Sequence, residues 1–255
     1  MIDKVRDDLL AAVDVIPSGA SVAVGGFGWS GRPDTLLTAL ADLDKRELHV
    51  VINNVGDPDG DSSGSIARLA AEGRLRKVTG SFPLLQRFYD DYYAGKVELE
   101  LVPQGTLAER MRAGGAGVPA FYTPVAAGTM LADGTFVTRF GRDGEPDEHL
   151  AALETRMFGE REHVLELALT TDFALVRAHQ GDRKGNLRFR RAARNFNPVA
   201  AMCAAHTIAE VGQLVDVDVL DPDDVHLSGV FVADVVLSDP SLDRHPTDKG
   251  VISWT

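Results

Sequence analysis

The residues of this chain best able to do chemistry are a set of glycines and carboxamides. In VAVGGFGWSGRP, residues 22–33, Gly25, Gly26, Phe27, Gly28 and Gly31 separate an apolar run from a stretch compatible with a helix. Gly26-x-Gly28-x-x-Gly31 has the spacing of a dinucleotide fingerprint, in which glycines let backbone N–H groups close on a pyrophosphate. Such a site wants an acid about 20 residues on to hold the ribose. Here Asn53 and Asn54 end the next apolar run, Asp57 falls in the loop beyond, and Pro33 removes an N–H from the helix start. Three readings stay open: an NAD-dependent dehydrogenase, a plain strand–helix turn, and a loop whose backbone approaches some other ligand.

Asn53 and Asn54 stand where open α/β sheets place ligands, at the carboxyl end of a buried strand. Their amides offer uncharged donors and an acceptor suited to a carboxylate or thioester oxygen. One of them could instead serve a left-handed turn before Gly56. Gln104 follows Pro103 between a strand and a helix, so its amide should project at the same edge. Gly114, Gly115 and Gly117 form a second glycine cluster that keeps side chains out of a tight space. Together these features suggest an amide-lined slot. Arg190, Arg191 and Arg194 could steer an anionic substrate or a phosphate-bearing cofactor, or simply pair on the surface. Asp57, Asp59 and Asp61 look like the opening of a calcium loop, but Ser62 and Arg68 occupy the positions that need glycine and glutamate. A solvated acidic turn is expected there.

Other chemistries find no footing. There is no GxxxxGK[ST] phosphate loop and no GxSxG nucleophile elbow. The single cysteine, Cys203, lies on an apolar stretch with His206 three residues on, as expected of a buried, inert thiol. The seven histidines show no metal-ligand spacing, so no metal site is expected. No glutamate stands in a glycine-rich apolar setting that would make it a nucleophile.

These groups need elements to hold them, and the chain reads as alternating short apolar strands and amphipathic helices. That pattern predicts an α/β fold with an open, mainly parallel sheet flanked by helices. Helices are expected near Lys4–Val13, from Pro33, over Ile66–Glu72, Pro83–Tyr93 and Thr106–Arg112 (ended by Gly114-Gly115), and over Asn197–Ala205. Strands are expected at Ser21–Val24, Glu47–Ile52, Leu75–Val78, Val97–Val102 and Asp172–Ala178, and within Thr207–Val215. Residues 125–165 read as an irregular surface excursion containing the turn-rich GRDGEPDEH, and the polar tail from Asp239 as loosely attached. With no repeat or linker, residues 1–255 form one domain.

Composition agrees. The chain has 255 residues, 44% hydrophobic and 25% charged, ordinary values for a globular protein. Its 38 acidic against 26 basic residues give a net charge of −12, which argues against nucleic acid as a partner. No apolar run approaches a membrane span, and the N-terminus lacks signal-peptide and transit-peptide features; a cytoplasmic protein is expected.

Taken in order, the motifs resemble those of the alpha (A) subunit of the two-subunit 3-oxoacid coenzyme A transferases, of family I type. The likeness rests on Ser18-Gly19, Val22-Ala23-Val24, Gly25-Gly26-Phe27, Gly31 and Pro33, with Ser18 where the family has Asp or Asn. It continues through Asn53-Asn54-Val55-Gly56, ELELVPQGTLAERMRAGGAGVPAFYTP, TTDFALVRAHQGDRKGN and ARNFNP, from about residue 4 to residue 232. The resemblance implies transfer of CoA from an acyl-CoA such as succinyl-CoA to a 3-oxoacid, 3-oxoadipate or acetoacetate. A glutamate of the beta (B) subunit would attack the thioester, pass through an acyl anhydride and become a glutamyl–CoA thioester, with ping-pong kinetics. CoA would then be a substrate and not a resident cofactor, and the two kinds of subunit would form a heterodimer or heterotetramer. Gln104 would reach the reaction centre and Asn53 and Asn54 would hold substrate. Gly25 to Gly31 and Gly114 to Gly117 would line the site. A non-catalytic ligand-binding relative on the same fold is the remaining alternative. Where members acting on acetoacetate show SSYVGEN before the Gln104 motif, this chain has TGSFPLLQRFYDDYYAG, whose Ser81-Phe82-Pro83 is closer to the 3-oxoadipate enzymes, although Leu84 stands where those carry a basic residue. It also diverges at Gly141–Glu148 and after Asp239.

Overall fold

The computed structural model describes residues 3–56 and 65–242. The acidic turn with Asp57, Asp59 and Asp61, and most of the C-terminal tail, lie outside the described residues. Among the described residues the main sheet runs in the order β13-β12-β10-β1-β2-β3-β4, all neighbours parallel. Its strands are β1 (Ser21–Val24), β2 (Leu48–Val55), β3 (Leu75–Pro83), β4 (Glu98–Leu101), β10 (Thr171–Asp182), β12 (Ala204–Val215) and β13 (Asp234–Leu237). The short β11 (Leu187–Arg188) pairs antiparallel with β10. Strand order reverses between β1 and β10, so a crevice opens at their carboxyl ends, where doubly wound sheets bind ligands.

Alternating side chains divide the core between the two faces. On one face Val22, Val24, Val50, Ile52, Val78 and Leu175 pack under α1 (Leu9–Asp14), α2 (Asp34–Asp42), α3 (Ser65–Ala71) and α4 (Gln86–Tyr93). On the other face Ala23, Val51, Ala174, Val176 and Ala209 meet α5 (Gln104–Gly115) and α6 (Asn197–Cys203). Strands buried on both faces read as unbroken apolar runs, which is why this half of the architecture was visible in the sequence.

Several expected boundaries move. Residues 4–6 run beside β13, with Arg6 N–H donating to Val235 O, and helix begins only at Leu9, capped by Asp8. Pro33 precedes α2 and does not open it. Pro83 ends β3, and α4 starts at Gln86. α5 is longer than Thr106–Arg112, starting at Gln104, and it ends at Gly114-Gly115 as expected. Beyond the C-cap Ala116, Gly117 (φ 70) turns the chain, with Val118 N–H donating to Ala113 O and Gly117 N–H to Gly114 O. That is a Schellman ending, which wants glycine at its left-handed position.

The largest correction concerns residues 125–165. They are irregular only in part: 125–136 runs through turns, but β6 (Val137–Phe140) pairs with β7 (Pro146–His149), and β5 (Ala120–Thr123), β9 (Arg161–Leu167) and β8 (Thr155–Phe158) form a second antiparallel sheet. β7 and β8 are exposed along their whole length, so they carry no apolar alternation to betray them. The GRDGEPDEH turn is a hairpin, closed by Gly141 N–H donating to Glu145 O. The tail from Asp239 is tied down at its start, where Asp239 N–H donates to Thr35 Oγ1, before a short 3-10 turn at Pro240–Leu242.

Candidate active site

The carboxyl edge of the sheet carries three segments: the glycine loop 25–33 after β1, the end of β2, and the start of α5 after β4. Asn53 and Asn54 lie within β2, not beyond it, and Gly56 (φ 85) makes the turn itself. Neither asparagine is therefore needed for a left-handed turn. Successive strand residues face opposite sides, so Asn53 sits on the side covered by α5, fully buried, and Asn54 on the side of α2. Asn54 Oδ1 accepts from Asn53 Nδ2 at 2.6 Å and from Gly28 N–H at 3.1 Å. That bond ties the glycine loop to the strand edge. Asn53 Oδ1 is buried without a hydrogen-bond partner among the described residues. A buried acceptor left this way costs about 1–3 kcal/mol.

Gln104 is the first residue of α5, exposed, and no hydrogen bond of the described residues engages its amide. Pro103 precedes the helix and offers no side-chain cap, so the amide and the first turn's N–H groups face the carboxyl edge together. Phe27, Phe82 and Leu84 are exposed at that same edge, and Asn54 and Phe82 are register partners.

The glycines of the loop have a reason the sequence did not disclose. A Cβ at Gly25 would lie 2.0 Å from Asn197 Oδ1, one at Gly26 2.9 Å from Arg32 Cα, and one at Gly31 2.6 Å from Ala193 O. These positions are small because protein packs against them from behind. Gly28 (φ 54), beside the exposed Phe27, is the loop glycine whose N–H reaches Asn54. Arg32 lies over the Trp29 ring and pairs with Asp34 at 2.6 Å, stiffening the loop's exit into α2.

Gly114, Gly115 and Gly117 are not brought to this edge. They lie at the far end of α5, about 15 Å of helix from Gln104 at 1.5 Å per residue. A Cβ at Gly114 would sit 2.1 Å from Leu169 O, and one at Gly115 2.6 Å from Met202 Cβ. The tight space expected here is a helix contact with α6 and the segment before β10.

Two charged residues behind the loop escaped the sequence reading. Arg177 in β10 and Glu210 in β12 are cross-strand partners, and Glu210 is fully buried. Glu210 Oε2 accepts from Leu36 N–H of α2 at 2.9 Å, and Oε1 lies 3.3 Å from Arg177 Nη1. Burial lifts the Glu210 carboxyl to about 8, against the pull of the Leu36 N–H and Arg177. A single charge in each of two otherwise apolar runs, FALVRA and TIAEVG, was the available signal.

Arg190, Arg191 and Arg194 are exposed on a 3-10 turn beside the loop, and none of them has an ion pair among the described residues. Cys203 is buried, its thiol pushed by burial up to about 11, while His206 pairs instead with Asp234 at 2.7 Å. The described residues contain no group of three or more potential metal ligands, and none of their helices is long and apolar enough to cross a membrane.

Residues 7–238 match the model of the Coenzyme A transferase family. The chain belongs to that family. The A subunit of a probable succinyl-CoA:3-ketoacid coenzyme A transferase of Mycobacterium tuberculosis is 47% identical over 236 residues, covering 92% of this chain and 94% of the relative. The A subunit of a 3-oxoadipate CoA-transferase of Pseudomonas putida is 42% identical over 239 residues, with 92% and 94% covered. Among solved structures, an Escherichia coli acyl-CoA transferase in thioester complex with CoA superposes with a TM-score of 0.76 at 25% identity, over 93% of this chain but 47% of that one. The chain thus spans about half the length of that enzyme. Glutaconate coenzyme A-transferase of Acidaminococcus fermentans shares the fold, with a TM-score of 0.72 at 19% identity over 95% of this chain and 77% of that one. Family membership removes the ground for the NAD-dependent alternative, which rested on glycine spacing alone.

Proposed function

We propose that this chain is the alpha subunit of a heteromeric CoA-transferase that moves CoA from an acyl-CoA such as succinyl-CoA to a 3-oxoacid. A beta subunit would supply the glutamate that becomes the glutamyl–CoA thioester. The observation that carries this reading is the exposed Gln104 amide at the open start of α5. No hydrogen bond of the described residues engages it, and it lies on the sheet edge that holds the Asn54–Gly28 pair. The 47% and 42% identities to proteins named as A subunits of such enzymes support it.

In this reading a thioester carbonyl reaches the edge formed by β2 and α5. When the partner's carboxylate attacks, negative charge builds on the carbonyl oxygen, and the Gln104 amide donates to it. Asn53 and Asn54 hold the acyl portion, and the Phe27–Gly28 part of the loop closes over it. The basic turn with Arg190, Arg191 and Arg194 draws in the anionic CoA. Glu210 is no rival nucleophile: it has no solvent exposure and is engaged by Leu36 and Ser238.

The test is a half-site experiment. The chain alone should transfer no CoA, whereas with the beta subunit it should show ping-pong kinetics, assayed with acetoacetate and 3-oxoadipate in parallel. Acyl-CoA without acceptor should trap a thioester, and after borohydride reduction mass spectrometry should find the modified glutamate on the partner. A modified glutamate on this chain, or full activity of this chain alone, would overturn the assignment.

A further inference from the structure

Two asparagines outside the site hold the glycine loop from behind. Asn197, fully buried at the start of α6, spends both amide hydrogens on carbonyls: Nδ2 donates to Gly31 O at 2.9 Å and to Ala193 O at 2.8 Å. Its Oδ1 accepts from Arg177 N–H at 2.9 Å, which fixes which end of the amide points at the loop. Asn195 Nδ2 donates to Ser30 O at 2.9 Å and to Ala192 O at 2.7 Å, while its Oδ1 accepts from Phe196 N–H at 2.6 Å.

Two consecutive loop carbonyls, Ser30 and Gly31, are thereby drawn into the protein. A carbonyl turned outward would repel an anion, whereas Ser30 O is held inward by Asn195 Nδ2 at 2.9 Å and by Phe27 N–H at 3.0 Å, and Gly31 O by Asn197 Nδ2. Across the loop, Gly28 N–H reaches Asn54, which in turn takes the Asn53 amide. A shift of Ser30 and Gly31 would be transmitted to this contact, because only two residues separate Gly28 from Gly31.

We propose that Asn195 and Asn197 are positioning residues: they set the glycine loop against the strand-edge asparagines and so tune acyl-CoA binding. The second half of this statement rests on the function proposed above; the first does not. Neither residue need touch substrate.

Asn195→Asp is the discriminating variant, because it keeps the acceptor for Phe196 N–H, loses both donor contacts, to Ser30 O of the loop and to Ala192 O, and turns a carboxylate oxygen toward them. Hydrogen exchange of residues 25–33 in the full chain should rise about tenfold in Asn195→Asp, the loss of roughly one hydrogen bond, while β10 and β12 stay protected. In the complex with the beta subunit, kcat/KM for acyl-CoA should fall about tenfold with the melting temperature within about 3 °C of the parent. Asn195→Ser, which restores a donor, should recover part of both effects, and Asn197→Asp should exceed them if it folds. Unchanged loop exchange in Asn195→Asp would show that only its Oδ1 matters and overturn the proposal. Faster loop exchange with unaltered kcat/KM for acyl-CoA would overturn it too. If the parent complex transfers no CoA, the functional reading fails, and the exchange data still decide whether these residues position the loop.

Discussion

The two glycine clusters, 25–31 and 114–117, look alike as sequence and meet the same short helix at opposite ends. The first lies against Asn197, which opens α6, and the second against Met202, one residue before α6 closes. At the α6 start the contact is polar: an asparagine amide engages a loop carbonyl, and the loop's far side carries the bond to Asn54. At the α6 end the contact is apolar and backbone-tight, and a Schellman turn follows. Each cluster has a glycine pressed against α6, Gly25 by Asn197 and Gly115 by Met202, yet only one cluster sits where parallel strands end and α5 begins. Glycine density therefore reports close approach. Position on the sheet decides whether that approach serves chemistry or packing.

This contrast can be broken most directly at Gln104. Gln104→Ala should lower kcat of the assembled enzyme by about 10²–10³, the usual cost of one lost donor at a developing oxyanion, with no change in melting temperature. A kcat within about twofold of the parent would remove Gln104 from the transition state.

At the packed end the outcome should be the reverse. Gly115→Val would force a side chain into Met202 and should destabilise the chain by about 2–3 kcal/mol, seen as a fall of roughly 5–10 °C in melting temperature. Turnover per folded molecule should hold. Loss of turnover without loss of stability would return the second cluster to the site.

Acid sharpens the same division. On the face under α5, away from the loop, His49 Nε2 lies 2.9 Å from Thr79 Oγ1, and Thr79 donates to Glu100. Burial, with Lys77 adding to it, lowers the His49 imidazole to about 4. The folded state therefore binds fewer protons than the unfolded state between pH 6.5 and 4. Stability from this group is complete above pH 6.5 and is lost as pH falls toward 4. Denaturant titrations should show His49→Gln flattening that decline, by an amount on the order of 2–3 kcal/mol. A parallel decline in parent and variant would clear His49. Glu100 acts lower: burial would raise its carboxyl, but Arg110 and Lys77 hold it down to about 2, so its contribution persists until pH drops below the usual carboxylate range.

The smallest expected effect belongs to the basic turn. Removing Arg191 and Arg194 together should raise KM for acyl-CoA several-fold, about threefold to fivefold, at low salt, with the difference fading near ~0.5 M salt. A salt-independent change would mean direct contact in place of steering.

By itself the sequence determined the layered α/β class, the strands that carry the loop and the asparagines, and the family through motifs read in order. Those features are local: a strand buried on both faces must be apolar, and a turn must carry glycine, whatever surrounds it. What only the tertiary structure decided were relations between distant residues. The two antiparallel sheets in 120–167 include two strands, β7 and β8, that are exposed throughout, so that pairing and not pattern defines them. Asn197 became the loop's anchor because α6 begins beside β1, 166 residues from Gly31. Gly115 left the site because a helix of α5's length carries its two ends to opposite edges of the sheet. Hydrogen bonds and steric contacts act over a few ångströms of space, and only the folded chain fixes which residues are that close.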